Sequence, residues 1–241
     1  MNLFLSKMRN RLLRAKMNRR NLDPRARNNL NSLDHISLNN NIRSYNYAVI
    51  DLETTGLDFK NDEILSIGAI RVIDGRIQLG DIFNELVKSS IYIPPSSIKI
   101  HKIVPEMVSD ALPIKEVFYN FLEYLGDNII VAHNARFDMN FLNILMKKYY
   151  GFLLQNLVLD TMHMCRNIIF PPHHQYPYGI DLNSKQYGLD GITKYLGIDI
   201  YQRHTAIGDA FATAMVFQRV ISRLEKLEQY QLKTLIKGSC S

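Results

Sequence analysis

The tightest constraint on this chain is one short stretch, Ala48-Val-Ile-Asp51-Leu-Glu53-Thr54-Thr55-Gly56. Its apolar and β-branched residues before Glu53 read as a buried strand. Strand side chains alternate between faces, so Asp51 and Glu53, two residues apart, point the same way while Ile50 and Leu52 point the other. Two like charges side by side in an apolar strand are costly unless a cation lies between them. Thr54-Thr55-Gly56 then turns the strand off, leaving the acid pair at a sheet end, where ligands bind in α/β folds. The competing reading is a pair of solvated acids on an edge strand.

With 241 residues, 46% of them apolar, the chain suits one α/β domain plus an appendage. No run approaches the ~18–20 apolar residues of a membrane span, and no short apolar core precedes a cleavage site. Cys165 and Cys240 are too widely spaced for a metal knuckle and fit a reducing, cytoplasmic setting. Charge is uneven: residues 1–44 carry a net +8, and the other 197 a net −2. A basic arm can add salt-dependent affinity for polyphosphate. Leu5, Met8 and Leu12, with Lys7, Arg9, Arg11 and Arg14 between them, would form an amphipathic basic helix. It would serve as a nucleic-acid or partner arm, a surface-seeking helix or an organelle presequence; a flexible solubilising tail is the fourth reading. Residues 28–41 read as a linker. The expected organisation is an arm and linker over 1–44 and a domain over 45–237.

Beyond the first strand, Ile64–Ile73 reads as a central strand, Asp74-Gly75 as a hairpin turn and Arg76–Val87 as a third strand. Ile98–Ser109 is irregular or one short helix. Pro113–Leu125 and Ala135–Tyr149 have helical apolar spacing and flank a short strand, Asn128–Ala132. Leu157–Asp160 is a fifth strand, Met162–Ile169 is helical, Pro171–Tyr187 is a long loop and Gly191–Leu196 a short helix. One long helix is expected from Thr205 to about Lys237. The prediction is a mixed five-stranded sheet flanked by helices.

Two more acids fall where the strand pair needs company. Asp138 lies in His133-Asn-Ala-Arg-Phe137-Asp138 and Asp209 in His204-Thr-Ala-Ile-Gly-Asp209, each in the first turn of a helix. Acids are common there because of the helix dipole, but Phe137, Ala206, Ala210 and Phe211 imply packed surroundings. Four carboxylates and one imidazole brought together describe a two-metal phosphoryl-transfer site. Hard oxygen ligands select Mg²⁺ or Mn²⁺, two ions roughly 3.5–4 Å apart clamp the attacking and leaving oxygens, and a histidine can take the proton of an attacking water at neutral pH.

Asp51-x-Glu53-Thr-Thr-Gly, His133-Asn-x-x-Phe-Asp138 and His204-x4-Asp209 together resemble the three motifs of the DEDDh 3′–5′ exonucleases, a family that includes the proofreading epsilon subunit of bacterial DNA polymerase III and stand-alone relatives. The resemblance spans about residues 45–223 and implies an RNase H-like fold and release of nucleoside 5′-monophosphates from 3′ ends. It implies Asp51, Glu53 and Asp209 as ligands of a first metal, Asp51 bridging to a second, Asp138 supporting the metal site and His204 as general base. It further implies that Thr54, Leu57, His101, Asn134 and Phe137 line the terminal nucleotide, with His133 structural. Lys102 stands where a glycine is usual.

The Pro171–Tyr187 loop exceeds what the family core needs. Its His173, His174, Tyr176, Tyr178 and Tyr187 would stack on single-stranded bases or form an insertion of no chemical consequence; zinc on His163 with His173 or His174 is poorly spaced. The chain ends soon after the last helix, without the segment by which the replicative subunit holds its polymerase. Gln231-Leu-Lys-Thr-Leu235 faintly resembles a sliding-clamp peptide, but the preferred reading is that it continues the helix's polar-apolar pattern. The reading is therefore a stand-alone or differently partnered exonuclease rather than a dedicated replicative subunit, with single-stranded DNA or RNA 3′ ends as substrate; a polymerase, clamp or other partner through the arm or the C-terminal helix stays open. Two alternatives stay open: an exoribonuclease acting on short RNA or RNA tails, and a catalytically silent binding module of the same fold.

Overall fold

A computed structural model describes residues 7, 8, 11–13, 15, 23–170 and 187–239. In chain order the elements are α1 (Pro24–Asn31), β1 (Tyr47–Thr54), β2 (Ile64–Ile73), β3 (Arg76–Lys88), α2 (Pro95–His101), α3 (Pro105–Val108), β4 (Leu112–Pro113), α4 (Ile114–Leu125), β5 (Ile129–Ala132), α5 (Arg136–Tyr150), β6 (Val158–Asp160), α6 (Thr161–Met164), a π turn at Cys165–Ile169, α7 (Leu189–Leu196), α8 (Ala206–Lys226) and α9 (Leu232–Gly238). The strands form one sheet in the order β4-β3-β2-β1-β5-β6. β1, β2 and β3 run as an antiparallel meander, and β5 and β6 add parallel to β1. A sixth strand, β4, pairs with β3 over two residues; the five expected strands are the other five.

β1 lies in the middle of the sheet and separates two apolar layers. Tyr47 and Val49 face the layer built on α8, with Tyr47 edge-on to Phe217 at 4.8 Å between centroids. Ala48, Ile50 and Leu52 face the layer built on α1, α4 and α5. Alternation thus carries Asp51 and Glu53 onto the α8 face, continuing the Tyr47–Val49 stripe. From Phe217 back to Asp209 is eight helical residues, about 12 Å; from Tyr47 to Asp51 is four strand residues, about 13 Å. Matching rises set Asp209 level with Asp51.

Three expectations are corrected. Residues 28–41 are not a linker: α1 is capped by Asp23, and Ala26, Leu30, Leu33 and Ile36 are buried. Asn29 binds the Asn156 side chain at 2.5 Å and the Gln155 amide at 3.0 Å. The long C-terminal helix breaks after Lys226, and the chain reverses to pair Gln231 with Asn41 before α9. Residues 98–109 hold the end of α2 and all of α3 rather than one helix or none. Most of the basic stretch 1–22 and the loop residues 171–186, with His173, His174, Tyr176 and Tyr178, lie outside the described residues.

Candidate active site

The site forms at the carboxyl ends of the parallel pair β1 and β5. A register shift between Glu53 and Thr54 marks the end of β1, a bulge of the kind that re-aims side chains near functional sites. Asp51 is paired with Gly68 of β2 and Glu53 with Ser66. Gly68 has a reason to lack a side chain: a Cβ there would lie 2.2 Å from the Ala206 carbonyl carbon. The first turn of α8 therefore rests directly on the β2 backbone and delivers Asp209 to the acid face. Thr205 caps this turn, its hydroxyl accepting the Gly208 amide at 3.1 Å.

Carboxylate oxygens of Asp51, Glu53 and Asp209 come within 4.8 Å of one another. Asp138, buried in the first turn of α5, stands outside this close trio but acts electrostatically on Asp51. Its Oδ1 is buried without a hydrogen-bond partner. Burial, then Asp138, Asp209 and Glu53, push the Asp51 carboxyl well above the usual carboxylate range. Burial and Asp209 raise Glu53 to about 7. Burial, with Asp160 and Glu53 adding to it, raises Asp138 to about 8. Asp209 is also raised, by burial, although Arg203 opposes the shift. Four carboxyls this reluctant to ionise, one with an orphaned oxygen and all offering hard oxygen donors, fit divalent Mg²⁺ or Mn²⁺.

His204 opens the turn before α8 with a left-handed backbone, φ +62°, and its amide donates to Asp209 Oδ1 at 3.2 Å. Of the other residues expected around the terminal nucleotide, Thr54 ends β1, His101 ends α2 and Phe137 lies in the first turn of α5, while Leu57 and Asn134 are in the turns after β1 and β5. Thr54 is buried and donates to the Gly56 carbonyl at 2.6 Å, while Leu57 is 82% exposed. Ser97 of α2 donates to the Thr55 carbonyl at 2.6 Å, joining α2 to this turn. His101, at the end of α2, is buried, with Nδ1 accepting the Ile103 amide at 3.0 Å. Burial lowers its pKa, against the pull of the Thr54 backbone. Lys102 follows at φ +61°, a left-handed backbone that suits the glycine usual there. Asn134 is exposed at φ +60°, and Phe137 packs on Phe141 at 5.2 Å.

Two residues escaped the sequence reading. Asp160, at the end of β6, accepts the Asn134 and Ala135 amides, both at 3.1 Å, and caps α6 through the Met162 amide at 2.9 Å. It pins the β5–α5 turn that leads into the helix bearing Asp138; an Asp closing a strand before a helix is its one local signal. Arg203 forms an ion pair with Asp209 and another with Asp190 of α7, at 2.5 Å. Only its place beside His204 could have drawn notice. His133, as expected, is structural: Nδ1 meets the Thr161 hydroxyl at 2.9 Å and Nε2 the Tyr187 carbonyl at 2.8 Å. His163 is 3.2 Å from Asp160.

Residues 48–217 match the family model described as Exonuclease (RNase_T). The chain belongs to the exonuclease family. It is 34% identical over 193 residues to a "DNA polymerase III PolC-type" of Thermotoga petrophila, covering 80% of this chain and 13% of that protein. It is 36% identical over 185 residues to a "DNA polymerase III subunit epsilon-like protein" of Rhodobacter capsulatus, covering 74% of this chain and 24% of that one. The chain thus spans about an eighth of the PolC-type relatives' length. Exonuclease X in complex with 5′ overhanging duplex DNA superposes with a TM-score of 0.61 at 24% identity, covering 80% of this chain and 99% of that one. E. coli exonuclease I with a dT13 oligonucleotide gives 0.61 at 20% identity, covering 77% and 43%. The fold is accordingly the RNase H-like exonuclease fold. Among the described residues, no helix is long and apolar enough to cross a membrane.

Proposed function

We propose that this chain is a two-metal-ion 3′–5′ exonuclease, acting in the cytoplasm, that removes nucleoside 5′-monophosphates from the 3′ end of single-stranded nucleic acid, preferentially DNA. The observation that carries the reading is the meeting of the Asp51 and Glu53 carboxylates of β1 with that of Asp209, whose Oδ1 accepts the amide of His204. The preference for DNA is supported by the polymerase names of the relatives and the DNA bound to exonucleases I and X.

In this reading Asp51, Glu53 and Asp209 would hold a first ion, Asp51 would also serve a second, and Asp138 would support the metal site. Bound there, the ions supply charge neutralisation for the phosphodiester's attacking and leaving oxygens. The chain's own side chains do the rest. Thr54, Leu57, His101, Asn134 and Phe137 hold the terminal sugar and base, fixing the scissile phosphate for in-line attack. His204 accepts the proton of the water whose oxygen bonds to phosphorus. The bond from phosphorus to the 3′ oxygen of the preceding nucleotide breaks, and that oxygen leaves with a proton from solvent. A polymerase or clamp partner belongs to the same reading. The clamp-like Gln231–Leu235 does not offer its apolar residues, since Leu232 and Leu235 are buried, so the basic arm is the better candidate surface.

Mononucleotide release from 3′- and 5′-labelled single strands of DNA and RNA tests the proposal. Asp51→Asn and His204→Ala should each lower turnover by about 10²-fold or more, and omission of Mg²⁺ should abolish it. Undiminished turnover in both variants would refute the assignment. Faster release from RNA would turn the reading to an exoribonuclease, and ion binding without hydrolysis to a silent binding module.

A further inference from the structure

Arg203 supplies positive charge at the acid cluster. Both oxygens of Asp209 are engaged: Oδ1 accepts the His204 amide and Oδ2 the Arg203 guanidinium. The same guanidinium nitrogen lies 3.4 Å from His204 Nδ1. Its Nε reaches away from the cluster to Asp190 Oδ1 at 2.5 Å. The two acids differ sharply in setting, for the Asp209 side chain is 7% exposed and that of Asp190 69%. A guanidinium is a planar fork of five donors, able to pivot from a shared pair to a bidentate one without losing its charge partner. An ion held by Asp51, Glu53 and Asp209 would meet like charge at Asp209 Oδ2 unless this arginine withdrew.

We propose that Arg203 is a positioning residue that neutralises Asp209 while the site lacks its divalent ion and passes wholly to Asp190 when the ion binds. The proposal rests on the two-metal reading above. Arg203 then competes with the ion for Asp209, and Asp190 is the seat that makes its departure inexpensive. Because Asp190 belongs to α7, which follows the Tyr187 carbonyl held by His133, ion loading is linked to the packing of α7.

Calorimetric titration of Mn²⁺ into the full chain tests this, with thermal melting of the ion-free protein alongside. Arg203→Met should tighten Mn²⁺ binding about three- to tenfold and lower the ion-free melting temperature. Asp190→Asn, at an exposed position that does not threaten folding, should weaken Mn²⁺ binding about two- to fivefold, and this effect should vanish in the double variant. Equal or weaker binding in Arg203→Met would overturn the proposal, as would an Asp190→Asn affinity equal to wild type or an Asp190 effect that persists without Arg203. If Arg203→Met fails to fold, the Asp190→Asn affinity alone decides. Absence of Mn²⁺ binding in the wild type would instead sink the metal reading. Binding that is lost in Asp51→Asn but indifferent to Arg203 and Asp190 would sink only the arginine's part.

Discussion

Single carboxyl groups set this site's chemistry and its cost. Glu53 near 7 and Asp138 near 8 lie far above the ~4 of solvated carboxyls. The folded, ion-free protein therefore retains protons that the unfolded chain has released. Stability from this source is complete below the unfolded values near 4 and is lost as pH rises through 7 to 8. The ion-free melting temperature should accordingly be higher near pH 5.5 than near pH 8.5, by about 5 °C or more. Mg²⁺ should raise it more at the higher pH, where the ligands ionise willingly. A scanning-fluorimetry series with and without Mg²⁺ checks both; a flat ion-free profile, or an equal Mg²⁺ effect at the two pH values, would contradict the electrostatics described. The acids themselves were readable in the sequence, because charge inside an apolar strand demands an explanation. Arg203 and Asp160 were not, because their partners lie on elements whose placement no local pattern encodes.

Among the elements, α8 decides whether the acids meet. Its apolar stripe was legible from spacing alone, and Phe217, Val220, Ile221 and Leu224 are all buried. What the spacing hides is the bare strand beneath its first turn. Gly68→Ala would force a Cβ into the Ala206 backbone, which no rotamer change relieves. The variant should lose about 1–3 kcal/mol of stability and bind Mn²⁺ at least about tenfold more weakly, measured by denaturant unfolding and calorimetry. Native stability with native affinity would show that α8 can settle elsewhere. The end of α8 was misread for a related reason. Leu232 and Leu235 continue the helical spacing, yet the chain reverses at Glu228, φ +56°, and the Tyr230 carbonyl accepts the Ile42 amide at 2.7 Å. That pairing joins residues nearly two hundred positions apart, beyond any local signal.

At the scale of the molecule, residues 23–44 are part of the folded body. Arg43 ion-pairs with Glu225, Nη2 lying 3.0 Å from the carboxylate, and Arg25 with Glu123, so two of the arm's arginines are spent within the domain. A truncation beginning at Tyr45 would strip the cover formed by Leu30, Leu33, Ile36 and Ile42, all buried. It should melt about 10 °C or more below the full chain, or be insoluble; a truncation melting with the full chain would show these contacts to be dispensable. The stretches that meet there, 38–42 and 230–233, lie behind the amino end of β1, six residues or about 20 Å of strand from Glu53. Anything tethered at that rear seam is held a strand's length away from the acid cluster.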